Sequence, residues 1–106
     1  SSPPFPTETP ISYVPEENVF VIHKNDNFIY NIVVGCYVRH KEIDRLAYLG
    51  VVLIVQEKVI QIRIEKDMGV CETIPESADA LKGITVRPVV PVTALQNFTQ
   101  TGDINE

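Results

Sequence analysis

The chain is poor in the residues from which compact chemical sites are usually built: two cysteines, two histidines and five glycines among 106 residues. Cys36, Cys71, His23 and His40 are the soft metal ligands, and no two of them stand at C-x-x-C or H-x-x-x-H spacing, the local geometry of most zinc sites. The glycines are scattered, so no Gly-rich phosphate loop or nucleotide motif is present, and no Ser, His and Asp grouping stands out. Cys36 and His40 fail as a nucleophile and base on one strand, because four residues at ~3.3 Å rise place them about 13 Å apart. Cys36 therefore reads as core and His40 as a solvated neighbour of Lys41. The expectation is a non-enzymatic protein with no metal and no cofactor.

Long apolar runs are also missing. The longest, Val51 to Val55, falls far short of the ~20 residues that a helix needs to cross a bilayer. Charge of one sign is lacking once the chain is divided. The formal net charge is -5, but residues 1–17 and 101–106 carry five acids and no base, leaving nine acids and nine bases between residues 18 and 100. No basic stripe exists to neutralise a row of phosphates, which counts against nucleic acid as the main partner.

What the chain does have is β-branched and aromatic sequence, with 44% hydrophobic residues, enough for one core. Residues 1–17 hold five of the eight prolines and read as an extended arm or linker, from which the domain is expected to have been excised out of a longer protein. Residues 18–100 read as a single β-rich domain and 101–106 as a flexible tail. "VFVIH" at 19–23, a turn at "KNDN" and "FIYNIVVGCYV" at 28–38 predict a hairpin, with Gly35 marking a bulge or close backbone approach.

Ile43, Leu46 and Ala47 lie at i, i+3, i+4, so a short helix or helical turn is favoured over residues 40–49, the alternative being a polar loop followed by a strand from Ala47. "VVLIV" reads as a strand buried on both faces. "VIQIRIEK" alternates, with Ile60, Ile62 and Ile64 on one side, and the two make a second hairpin. "VCETI" predicts a short strand, "PESADALKG" a short helix with Pro first and Gly last, and "ITVRPVVPV" an extended edge interrupted by Pro88 and Pro91. Thr93 is placed to cap a last helix through Phe98. "NFT" at 97–99 matches the glycosylation sequon, a pattern short enough to arise by chance.

These elements predict a mainly β fold, a small antiparallel barrel or sandwich of the OB, PH-like or SH3-like kind with short helical inserts. A ferredoxin-like α+β fold is the alternative. The expected function is protein–protein interaction by strand addition at an unblunted edge, "VFVIH", with Phe20, Val21 and Ile22 as contacts and Tyr30 and Tyr37 as contact aromatics. The partner would be another protein or a second copy of the chain, as in a self-assembling structural subunit, and not a membrane. The alternative is single-stranded nucleic acid, with Lys24, Arg39, Lys41 and Arg45 on phosphates. Exposed "PPFP" at 3–6 is a possible docking peptide. A bridge between Cys36 and Cys71 and a pair of free thiols both fit the sequence, and the second leans toward an intracellular setting.

Overall fold

The computed structural model describes residues 6–90 and 92–96. It contains strands β1 (Ser12–Val14), β2 (Val19–His23), β3 (Val33–His40), β4 (Ile43–Val55), β5 (Val59–Asp67) and β6 (Ile84–Arg87), with helix α1 (Ala78–Leu81) between the last two. A helical segment follows at 92–96. All six strands form one antiparallel sheet in the order β1-β2-β5-β4-β3-β6, curled into a half-barrel. The small β-barrel class is therefore correct, and among the described residues no helix alternates with strands in the way a ferredoxin-like fold requires.

The alternation in β5 works as read: Ile60, Ile62 and Ile64 are buried in the core while Arg63 and Glu65 face out. β4 and β5 form the expected hairpin, closed by a bond from the Gln56 amide to the Val59 carbonyl of 2.9 Å. "VVLIV" is less enclosed than its composition suggests. Val52 is buried, but Ile54 and Val55 are 40% and 39% exposed. The physical reason is pairing: β3 accompanies β4 only as far as Val51, so the end of β4 has a neighbour on one side.

Residues 40–49 are neither helix nor loop. β3 turns directly into β4, with His40 paired to Ile43 and only Lys41 and Glu42 between them, both at positive φ (51° and 67°). This is the geometry of a two-residue hairpin turn, whose twist matches that of the strands but which normally takes Asn-Gly or Asp-Gly. Here two L-residues occupy the left-handed region at a cost of roughly 1–2 kcal/mol each. The ladder beyond the turn, and the Arg39 guanidinium 3.7 Å from the Asp44 carboxylate across it, offset that cost.

The first expected hairpin is also replaced. β2 does not pair with β3; it lies between β1 and β5. The strand expected from residue 28 begins only at Val33, because Phe28 turns inward as a fully buried plug and Asn31 takes φ 72°. The intervening backbone docks on β4, the Asn31 amide donating to the Val52 carbonyl and the Val52 amide to that of Ile32. "VCETI" forms no strand, although Val70, Cys71 and Ile74 pack against the core. α1 is a single turn capped by Ser77, whose hydroxyl accepts from the Ala80 amide at 3.1 Å, and its Leu81 is buried.

Glycine matters where strands crowd. A Cβ on Gly35 would lie 2.8 Å from Tyr37 Cε1, beside the bulge between Cys36 and Tyr37, which confirms the close approach expected there. Bulges at this point and at two places between β4 and β5 bend the strands and coil the sheet. The core that results centres on Phe20, Tyr48, Phe28, Ile22, Ile60 and Ile62. Phe20 meets Tyr13 and Tyr48 with ring centroids 5.5 and 5.8 Å apart.

The proline-rich segment is part of this sheet. Besides contributing β1, it bridges the far edge: the Glu8 amide donates to the Val86 carbonyl at 3.0 Å and the Val86 amide returns a bond to Glu8 at 2.7 Å. Continuing that register would set Pro10 opposite Ile84 and Pro6 opposite Pro88. Proline offers no N–H, so the seam between β1 and β6 closes at one residue pair and goes no further. The folded unit thus starts before Asn18, the boundary expected from composition. The tail 101–106, the sequon at 97–99 and most of "PPFP" lie outside the described residues.

Candidate functional site

The residues expected to contact a partner do not form one surface. Phe20 and Ile22 are fully buried and Val21 is half-buried, because β2 has strands on both sides and presents no free edge. Tyr30 is 69% exposed in the loop before β3. Tyr37 is nearly buried, under the Arg87 guanidinium 4.2 Å from its ring centroid. Arg87 also holds Asp44 at 3.0 Å, so this cation is committed to structure.

The four cations expected on phosphate are split between opposite ends of β4. The Lys24 amide bonds to Lys58 in the β4–β5 turn, while Arg39, Lys41 and Arg45 belong to the β3–β4 turn. Lys24 is paired with Asp26 at 2.7 Å, and that contact holds the Asp26 carboxyl below its ordinary value. Arg39 lies within 4.0 Å of Glu42 and 3.7 Å of Asp44. The histidines are separated in the same way, His23 pairing with Val59 and His40 with Ile43. Among the described residues no group of three His, Cys, Asp or Glu side chains is placed to hold a metal. Both cysteines are free thiols.

Two recesses stand out among the described residues. The larger, about 510 Å³, is lined by residues 7–11 of the arm together with His23, Ala78, Leu81 and Lys82. Its position follows from the seam: the arm leaves β6 after Glu8 and joins β2 at Ile11, whose amide donates to the Val21 carbonyl at 2.8 Å. Asn25 donates to the Glu8 carboxylate at 2.8 Å and ties the arm to the turn after β2. Pro10 is buried, whereas Ile11 is 46% exposed within the recess. Both backbone bonds of Glu8 point at β6, so in an extended chain those of Thr7 and Thr9 point the opposite way. Among the described residues neither threonine has a hydrogen-bond partner.

The smaller recess, about 290 Å³, is lined by Val38, Arg39, His40, Arg45, Val70 and Cys71. Behind it, burial pushes the Cys36 thiol up to about 12 and raises the Tyr48 phenol well above its usual range. No family model, curated protein or solved structure matches this chain.

Neither recess was visible in the sequence. Residues 7–11 carry a recognisable proline signal, but that signal reads as a linker. Only the Glu8–Val86 bridge turns it into a wall of a cleft.

Proposed function

We propose that this domain is a non-catalytic protein-interaction module that takes an extended peptide along the edge of Thr7 and Thr9 that faces away from β6. The observation that supports this reading is the coincidence of an unpaired stretch of extended backbone with the larger recess. A peptide laid there would pair with the Thr7 and Thr9 N–H and C=O groups, and main-chain bonds of this kind supply affinity in strand addition. Ile11, Ala78 and Leu81 would receive its apolar side chains, while His23 and Lys82 line the same recess for polar ones. Strand addition thus moves from β2, which is enclosed, to the arm.

Selection of short unstructured peptides by phage display against the full chain tests this. Peptides enriched on the wild type should bind with micromolar affinity and perturb the backbone resonances of residues 7–11. Thr9→Pro removes one free N–H and spares the Glu8–Val86 bridge, so it should weaken them by tenfold or more. If selected peptides bind Thr9→Pro as well as wild type, the arm is not the docking edge.

A further inference from the structure

The smaller recess combines a thiol with positive charge and no lining carboxylate. Val38 pairs with Arg45, and His40 with Ile43, across the β3–β4 turn, and the loop after β5 brings Val70 and Cys71 against them. Two of the six lining residues carry guanidinium groups and a third carries an imidazole. Arg39 is occupied by Glu42 and Asp44, but Arg45 has no ion pair among the described residues. Of the acids nearby, Glu72 is exposed next to Cys71, and the Asp67 carboxylate accepts from the Gly69 amide at 2.8 Å.

A second, independent feature points at the same sulfur. Tyr48 is wholly buried and its hydroxyl has no hydrogen-bond partner in ordinary geometry. The Cys71 thiol is the polar group that acts on it most strongly. A buried phenolic O–H left without an oxygen or nitrogen acceptor is held in the fold at a cost, and a neighbouring sulfur is a weak acceptor open to it. Cys36, the cross-strand partner of the same tyrosine, is fully buried.

We propose that Cys71 is a thiol-modification site whose recess selects small disulfides bearing carboxylates, such as an oxidised anionic peptide thiol. In the step itself the Cys71 thiol loses its proton to solvent and its sulfur attacks one sulfur of the reagent. The reagent's S–S bond breaks, its electron pair leaves on the second sulfur, and that half takes up a proton as free thiol. Cys71 is oxidised to a mixed disulfide and the departing half is reduced. Arg45 and His40 hold the reagent's carboxylates, and Tyr48 acts as a positioning residue through its hydroxyl.

The test compares oxidised glutathione, which is anionic, with cystamine, which is cationic, on the full chain by intact mass and peptide mapping. Each rate at Cys71 is divided by the rate at the same residue in the urea-unfolded chain, which removes the reagents' intrinsic difference. Oxidised glutathione should give one adduct, on Cys71, and none on Cys36, and should show the higher normalised rate. Arg45→Ala should slow it by about threefold to tenfold, the factor that one charge at rim distance supplies in partly screened solvent, without slowing cystamine. Cys71→Ser should take no adduct. Adduct on Cys36, equal normalised rates for the two reagents, or an equal effect of Arg45→Ala on both would overturn the proposal.

Discussion

Replacing Tyr48 by phenylalanine should make this protein more stable, a result unusual for a change at the centre of a core. The ring keeps its place against Phe20, since the edge-to-face contact at 5.8 Å involves no oxygen. What is lost is a hydroxyl fully enclosed with no hydrogen-bond partner. Burying such a group costs roughly 1–3 kcal/mol, and a weak contact to the Cys71 sulfur returns at most about 1 kcal/mol of it. The small void left by one oxygen takes back some tenths more. The net gain is therefore about 1 kcal/mol, which for a domain of this size raises Tm by roughly 4–8 °C. Urea unfolding followed by circular dichroism measures it, with an unchanged slope showing that the compactness of both states is preserved. A loss of 1 kcal/mol or more would refute the argument, because it would mean that the hydroxyl is well bonded.

Val21→Pro should unfold the domain rather than probe association: β2 pairs with Ser12 on one side and Gln61 on the other at this residue, and proline inside a paired strand removes a ladder donor and does not fit between two neighbours. A cooperative thermal transition in that variant would contradict the interior position of β2. Gly35→Ala should lose roughly 1–3 kcal/mol in urea unfolding, since its methyl group would stand 2.8 Å from the Tyr37 ring and 3.1 Å from Val90 Cγ1. Alkaline stability should reveal Cys36. Its thiol titrates near 9.0 when unfolded and at about 12 when folded, so its contribution is intact below pH 9 and is lost between the two. The unfolded state then holds fewer protons than the native one, and stability falls with rising pH by about 4 kcal/mol across that window. Cys36→Ala should flatten this part of the pH profile, as read from urea midpoints.

The sequence by itself determined the fold class and the features that act within a few residues. Ile60, Ile62 and Ile64 alternate because a strand repeats every two residues, so β5 and its buried face could be read directly. Gly35 stands where no side chain fits, and Pro88 ends β6 because proline cannot continue a ladder. Ser77, the acid at Asp79 and Gly83 bracket α1 by the ordinary chemistry of helix ends.

Tertiary structure decided which strands meet. The Ile43, Leu46 and Ala47 spacing suits a helix locally, and the Lys41–Glu42 turn carries none of the glycine or asparagine that marks a hairpin. Only the long ladder around it makes those backbone angles tolerable. Nothing near Phe28 signals that it will leave its strand to plug the core, and nothing near Glu8 signals that a linker-like segment will bridge β6. The candidate sites depend on the same choices: the arm lines a recess only when Val86 takes up Glu8, and Cys71 shares one with Arg45 only when the loop after β5 packs beside the β3–β4 turn. Such contacts are selected by the free energy of the whole packed sheet, in which partners dozens of residues apart compete, and no window of neighbouring residues contains that comparison.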